Sequence, residues 1–220
     1  MIAIKKKKEP KELIEYRRSK SAVYDDMSTA LKDKIKESLM CEQGHLCAYC
    51  MRRIPQKNVM PDVTIEHWDA QHATDTDKGL DYRNMLAVCS GNRGQGELCC
   101  DAKRGSLPTN KQALKVNPLK PETLIGIKYQ SNGIIYSDDP EINNDLNEKL
   151  NLNSERIGLP ECRHSALKAL INKVKSEHPT GDISLYCQRL LQRYTSDAEA
   201  KPPYVGILIA WLEQHINRSS

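Results

Sequence analysis

"CAYC" at residues 47–50 is the stretch on which the reading of this chain turns. Two cysteines with two residues between them let one tight turn aim both sulfurs at a single tetrahedral ion, the way structural zinc is held. Such a pair is half a site. Working outward, Cys89 ends "DYRNMLAVC" (81–89), and Cys99 and Cys100 open "CCDAKRG" (99–105). Cys89 with either Cys99 or Cys100 completes four thiolates. Five of the eight cysteines fall between positions 47 and 100, a grouping that in a reducing compartment reads as metal ligation rather than disulfide pairing. Cys41 and His45 flank the first pair, but four thiolates already close a tetrahedral site. Cys162 and Cys187 lie in helical sequence and read as small core residues.

Composition explains why a metal is useful here. The chain has 220 residues, of which 39% are hydrophobic, 28% charged and none Phe. That length admits one large domain or a small one with extensions, built around a modest core. Zinc binding in such a unit is also folding energy. No apolar run reaches the ~18 residues that span a bilayer. The start, "MIAIKKKK", turns charged too early for a secretory leader, so no membrane association and a cytoplasmic location are expected. The net charge is +4, and residues 1–20 carry eight basic against three acidic side chains. Such a start attracts phosphate backbones or is simply solvated.

The chain predicts an α+β protein in four parts. Over 1–40, apolar residues at Leu13, Ile14, Tyr16, Met27, Leu31, Ile35 and Leu39 recur near helical spacing, with Pro10 at the first helix start. Region 41–108 is rich in Cys and Gly; within it "VTIEHW" (63–68) reads as a strand, "GNRGQGE" (91–97) as a loop, and "CCDAKRG" as a helix opening. Region 109–140 predicts a β-hairpin turning around Ser131-Asn132-Gly133. Region 141–220 is helical again. Its last segment, around Val205, Ile207, Leu208, Ile209, Trp211 and Leu212, either closes the protein's own core or docks a partner.

Between the two cysteine halves lies Glu66-His67. Adjacent strand residues face opposite sides of a sheet, so the two reach one site only where the strand ends or bends. There His67 can take a proton from water near neutral pH, and Glu66 can ligate a hard divalent cation.

The order Cys-x-x-Cys, Glu-His, Asn-Met-Leu-x-x-Cys, Cys-Asp-x-Lys resembles the HNH endonucleases. The resemblance implies a zinc-stapled ββα-metal (HNH) core, here with helical N-terminal and C-terminal extensions. It makes His67 the general base, Glu66 the strand acid, Asn84 the middle residue and Asp101 the third. Asp101 stands where His or Asn is usual, and remains a good ligand for Mg²⁺ or Mn²⁺. That register makes Cys100 the fourth zinc ligand, with Cys47, Cys50 and Cys89. Lys103 and Arg104 are then placed to meet phosphate oxygens.

"IEHW", "DYRNMLAVCSGN", "CCDAKRG" and the first sixteen residues also resemble the HNH component of Septu-type anti-phage systems and related retron modules, the PtuB-like proteins. The close resemblance covers about residues 1–105. It implies metal-dependent phosphodiester hydrolysis, with DNA as the default substrate and tRNA or another RNA as the alternative. It also implies a PtuA-like ATPase of the ABC type as partner. A non-catalytic zinc-ribbon module gripping nucleic acid or a partner is the competing reading; it leaves Glu66, His67, Asn84 and Asp101 in motif order unexplained.

Overall fold

A computed structural model describes residues 1–55, 63–69, 79–180, 182–196 and 200–216. The elements run α1 (Lys11–Tyr16), α2 (Thr29–Glu42), β1 (Val63–His67), β2 (Met85–Cys89), α3 (Cys100–Gly105), β3 (Ile127–Tyr129), β4 (Ile135–Ser137), α4 (Pro140–Asn144), α5 (Leu159–Glu177), α6 (Ser184–Thr195) and α7 (Val205–Ile216). This is the expected mixture of α and β, with two small antiparallel sheets, β1–β2 and β3–β4.

Local chemistry sets the boundaries. Pro10 occupies the N-cap of α1, and Ser28 caps α2 by accepting from the Leu31 amide at 3.3 Å. That cap satisfies one of the amides a helix start leaves unpaired. The β3–β4 turn is a three-residue loop. Gly133 N–H donates to the Gln130 carbonyl at 2.9 Å, and Gln130 N–H donates to Ile134 at 2.9 Å. Only Gly133, at φ 91°, has the positive φ expected around Asn132-Gly133, the geometry of a type I turn closed by a glycine bulge. A Cβ on Gly133 would lie 2.0 Å from the Pro160 carbonyl oxygen, so glycine also lets the start of α5 approach.

The β1–β2 pair runs from Val63 opposite Cys89 to His67 opposite Met85. Every residue of β2 is buried, because α2 and α3 both pack on it. A strand covered on both faces accounts for the unbroken run Met-Leu-Ala-Val. Its outer edge is closed without a third strand. The Gln43 amide donates to the Ala87 carbonyl at 2.7 Å and accepts from the Ala87 N–H at 2.8 Å, while Ala48 N–H donates to the same carbonyl at 3.1 Å.

One apolar cluster joins Leu13, Leu31, Ile35 and Leu39 to the sheet and continues through Leu146 to Leu159. A second is formed by α5, α6 and α7. Val205, Ile207, Leu208 and Leu212 of α7 are buried there or beside it, so this apolar helix closes the protein's own core. No helix among the described residues is long and apolar enough to cross a membrane.

Candidate functional site

The four sulfurs of Cys47, Cys50, Cys89 and Cys100 come together in the interior, all within 4.8 Å of one another. Cys47 Sγ and Cys100 Sγ are 3.9 Å apart, and Cys50 Sγ and Cys89 Sγ 3.8 Å. A tetrahedral zinc with Zn–S bonds of ~2.3 Å requires edges of about 3.8 Å. The arrangement therefore fits a four-thiolate metal site. Cys99 is buried beside it but stands outside the set, at the N-cap of α3.

A turn brings Cys47 and Cys50 together, while Cys89 ends β2 and Cys100 opens α3. Met51, at φ 60°, donates its N–H to the Cys47 carbonyl at 3.0 Å and closes the first turn. Cys100 itself adopts φ 54°, costly for a residue with a side chain. It is held there from the C-terminal half: Cys100 N–H donates to the Leu150 carbonyl at 2.8 Å, and the Asn151 amide to the Leu98 carbonyl at 2.9 Å.

Above the sulfurs, Glu66 leaves β1 toward the cysteine turn and α3. Its Oε1 accepts from the Tyr49 hydroxyl at 3.1 Å and from Arg104 Nη1 at 2.5 Å. Tyr49 lies between Cys47 and Cys50, so the turn that supplies two sulfurs also holds the acid. Asp101 stands one helical turn before Arg104 on α3, on the face of that helix that meets Glu66. Burial, and then this second acid, hold the Glu66 carboxyl well above the usual range, against the opposing pull of Arg104. Each acid already holds a guanidinium, Arg104 on Glu66 and Arg93 on Asp101, and the oxygens of two such carboxylates suit a hard divalent ion. The pair therefore fits the Mg²⁺ or Mn²⁺ that the family resemblance implies.

His67 leaves the strand in a different direction, as a neighbour of Glu66 must. Its Nε2 lies 3.0 Å from the Gly79 carbonyl oxygen, and its ring meets Tyr24 edge-on at 4.6 Å between centroids. Tyr24 connects the two sides. Burial, then Asp25, Asp101 and Glu66, push its hydroxyl up to about 12.

Asn84 closes the strand end. Its amide donates to the Asp69 carbonyl and accepts from the Asp69 N–H, both at 2.9 Å, while its own carbonyl accepts from Trp68 N–H at 3.0 Å. This two-point clamp sits two residues beyond His67 and fixes where β1 stops. Trp68 packs against the core, and its indole N–H donates to the Val116 carbonyl at 2.9 Å.

The structure corrects the expectation for Arg104. Its guanidinium is buried rather than turned to solvent, and donates to Glu66 and to the carbonyls of His67, Trp68 and Gln112. An ion pair with Glu66 and three carbonyl acceptors leave it no face for a phosphate. Lys103 is half-buried. Lys6, expected in a phosphate-binding or solvated tail, pairs with Glu42 at 2.8 Å and lies 3.7 Å over the Tyr82 ring. Burial lowers its pKa, opposed by Glu42.

Beside this site is a cleft of about 430 Å³ lined by Lys7, Lys8, Glu9, Arg17, Asp81 and Arg83, among others. The turn from Gly79 to Asn84 serves both: Gly79 meets His67, the Leu80 carbonyl accepts from Arg17, and Asp81 and Arg83 line the cleft.

Tyr24, Tyr49 and Arg93 were not anticipated as site residues. Tyr49 was marked by its place between two ligands. Arg93 lies in the glycine-rich insert and pairs with Asp101 at 3.0 Å; nothing in local sequence ties Tyr24 to His67. No family model and no curated protein matches this chain.

Proposed function

We propose that this protein is a metal-dependent endonuclease of the HNH type, hydrolysing nucleic-acid phosphodiesters on a zinc-stapled ββα unit formed by β1, β2 and α3. One observation carries the reading: Glu66, beside His67 at the end of β1, is bonded both to Tyr49, between two of the four clustered cysteines, and to Arg104, one helical turn after Asp101 on α3.

In this reading Cys47, Cys50, Cys89 and Cys100 hold zinc, which fixes β2 against the start of α3. Glu66 and Asp101 would hold a divalent cation, which would supply positive charge to offset the negative charge on the phosphate and the leaving oxygen. His67 takes the proton of the attacking water, with the Gly79 carbonyl and Tyr24 orienting its ring. Asn84 holds the strand end on which His67 sits. Tyr49 and Arg104 position Glu66. The cleft beside the site carries Lys7 and Lys8 together with the pairs Arg17–Glu9 and Arg83–Asp81, and its two lysines offer contacts for the backbone. DNA is the first substrate to test and tRNA the second. Partnership with an ABC-type ATPase and a role in anti-phage defence belong to the same proposal and rest on sequence resemblance.

A second reading is favoured by the Glu66–Arg104 pair. A buried, fully bonded ion pair is what a non-catalytic zinc module using these residues for structure would also contain. One experiment separates the two: cleavage of plasmid DNA and total tRNA with Mg²⁺ or Mn²⁺ by wild type and His67→Ala, with and without a co-purified ATPase. A general base is worth on the order of 10²–10⁴ in rate. Cleavage by wild type, lost in a zinc-loaded and folded His67→Ala, supports the nuclease. Equal behaviour of the two proteins under every condition supports the module.

A further inference from the structure

We propose that Arg93 is a phosphate-contacting residue that rests on Asp101 until a divalent cation takes its place. The inference rests on the nuclease reading above and adds to it a residue outside the motif.

The two acids of the site are each paired with one arginine, and the two arginines differ in kind. Arg104 is buried, and beyond Glu66 it is held by three backbone carbonyls. Removing its acid's charge would leave it in place. Arg93 reaches the site from the rim. Its side chain is 43% exposed and pairs through Nη2 with Asp101 Oδ2 at 3.0 Å, and the Asp101 side chain is 19% exposed. Arg93 thus covers the more open of the two carboxylates.

The loop that carries Arg93 is built as an anchored base with a projecting tip. At the base, Cys99 N–H donates to the Gly91 carbonyl at 3.0 Å, and the Asn92 amide donates to the Glu97 carbonyl at 2.7 Å. Residues 93–96 are exposed. Gly94 and Gly96 have φ of 78° and 103°, with no atom within 4 Å of where a Cβ would stand. The base is therefore fixed by the two zinc ligands it joins, Cys89 and Cys100, while the tip has room for Arg93 to change partner.

Charge supplies the switch. A divalent cation held by Glu66 and Asp101 cancels both carboxylates, and Asp101 then no longer attracts a guanidinium. Arg93 is left at the rim beside a cation, where the attractive partner is an anion. A phosphodiester meets that requirement, and the planar guanidinium matches two of its oxygens. In the resting site Arg93 stands in for the cation; in the loaded site it grips substrate.

The test uses the full-length, zinc-loaded protein and two readouts that need no turnover. The first is Mn²⁺ affinity by titration calorimetry for wild type, Arg93→Ala and Asp101→Asn. An ion pair this exposed is worth at most about fivefold in competition, so Arg93→Ala is expected to bind Mn²⁺ about two- to fivefold more tightly. Asp101→Asn is expected to lose the site. The second is binding of a short duplex DNA, and of tRNA, at saturating Mn²⁺ in a His67→Ala background. There Arg93→Ala should weaken binding and flatten the log–log salt dependence by about one phosphate contact, ~0.9 on duplex DNA. In Mn²⁺-free buffer the same substitution should change neither. Unchanged or weaker Mn²⁺ binding by Arg93→Ala, or an unchanged salt slope with Mn²⁺ present, overturns the assignment of Arg93 while the nuclease reading stands. Mn²⁺ binding that survives Asp101→Asn overturns both, because the cation then lies elsewhere.

Discussion

Arg104→Ala gives the sharpest test of how the site is held together. The substitution strands a carboxylate that is buried beside a second acid and removes a donor from three backbone carbonyls. Removing one partner of a buried ion pair costs about 3–5 kcal/mol, because the remaining charge is left uncompensated. For a chain of this size each kcal/mol moves the midpoint of thermal unfolding by roughly 2–4 °C, so a fall of about 6–20 °C is expected. Part of that loss comes from vanished packing and carbonyl contacts, and a double-mutant cycle separates it out. Glu66→Gln keeps an acceptor for Tyr49 but needs no cation, so the double mutant Glu66→Gln/Arg104→Ala should recover about 2 kcal/mol or more relative to additivity. The assay is urea unfolding of the four zinc-loaded proteins followed by circular dichroism. Divalent metal adds a second arm. Arg104→Ala retains both acids but lacks the buried cation, so Mg²⁺ or Mn²⁺ should stabilise it more than wild type. At a hundredfold excess over Kd that gain approaches ~2.7 kcal/mol. A loss below about 1 kcal/mol, or a coupling near zero, would refute the view that Arg104 stabilises a buried charge.

Three further outcomes are expected. Cys100→Ser should lower zinc affinity and destabilise the protein, whereas Cys99→Ser should keep one zinc per chain with a change of about 1 kcal/mol; a chelator competition series with metal analysis reads both. Asn84→Ala removes two hydrogen bonds to the Asp69 backbone, so stability should fall by about 1–3 kcal/mol with zinc retained, and kcat should drop by more than that loss explains. A rise in KM with kcat unchanged would mean that Asn84 does not position His67. Lys7→Ala/Lys8→Ala should reduce the salt slope of DNA binding by up to ~1.8, as expected for two phosphate contacts, without altering zinc content. An unchanged slope would remove the cleft from the substrate path.

Much of the site could be read from residue types and spacing, since metal ligation imposes local rules. Cys47 and Cys50 had to lie on one turn, and the β-branched run before Glu66 had to be a strand. The choice between Cys99 and Cys100 was not local. Either cysteine can follow the glycine-rich loop, and Cys100 is selected by a left-handed backbone held by Leu150, fifty positions on. The error over Arg104 was avoidable. Arg104 follows Asp101 by three residues, so both lie on one face of α3. If Asp101 faces Glu66, Arg104 faces it too, and Lys103 does not. Net charge near a helix start indicated a phosphate contact; helical phase indicated an ion pair, and phase decided. Tyr24 was out of reach because its link to His67 is made only by packing.

These long-range links bear on what the zinc unit requires. The four cysteines and both acids fall within residues 47–101, yet groups outside that span brace Cys100, the edge of β2 and His67. Leu150 and Asn151 fix Cys100. Gln43, from the end of α2, closes the edge of β2 between the zinc ligand Cys89 and the strand end. Lys6 reaches the Met85 carbonyl, opposite His67, and Tyr24 packs on His67 itself. Glu66 is aimed from within the unit, by Tyr49 of the cysteine turn and Arg104 of α3, whereas His67 is braced by Tyr24, from the segment before it. Movement of the N-terminal segment therefore reaches His67 first, through Tyr24 and through Lys6 on the Met85 carbonyl opposite it, rather than the four cysteines.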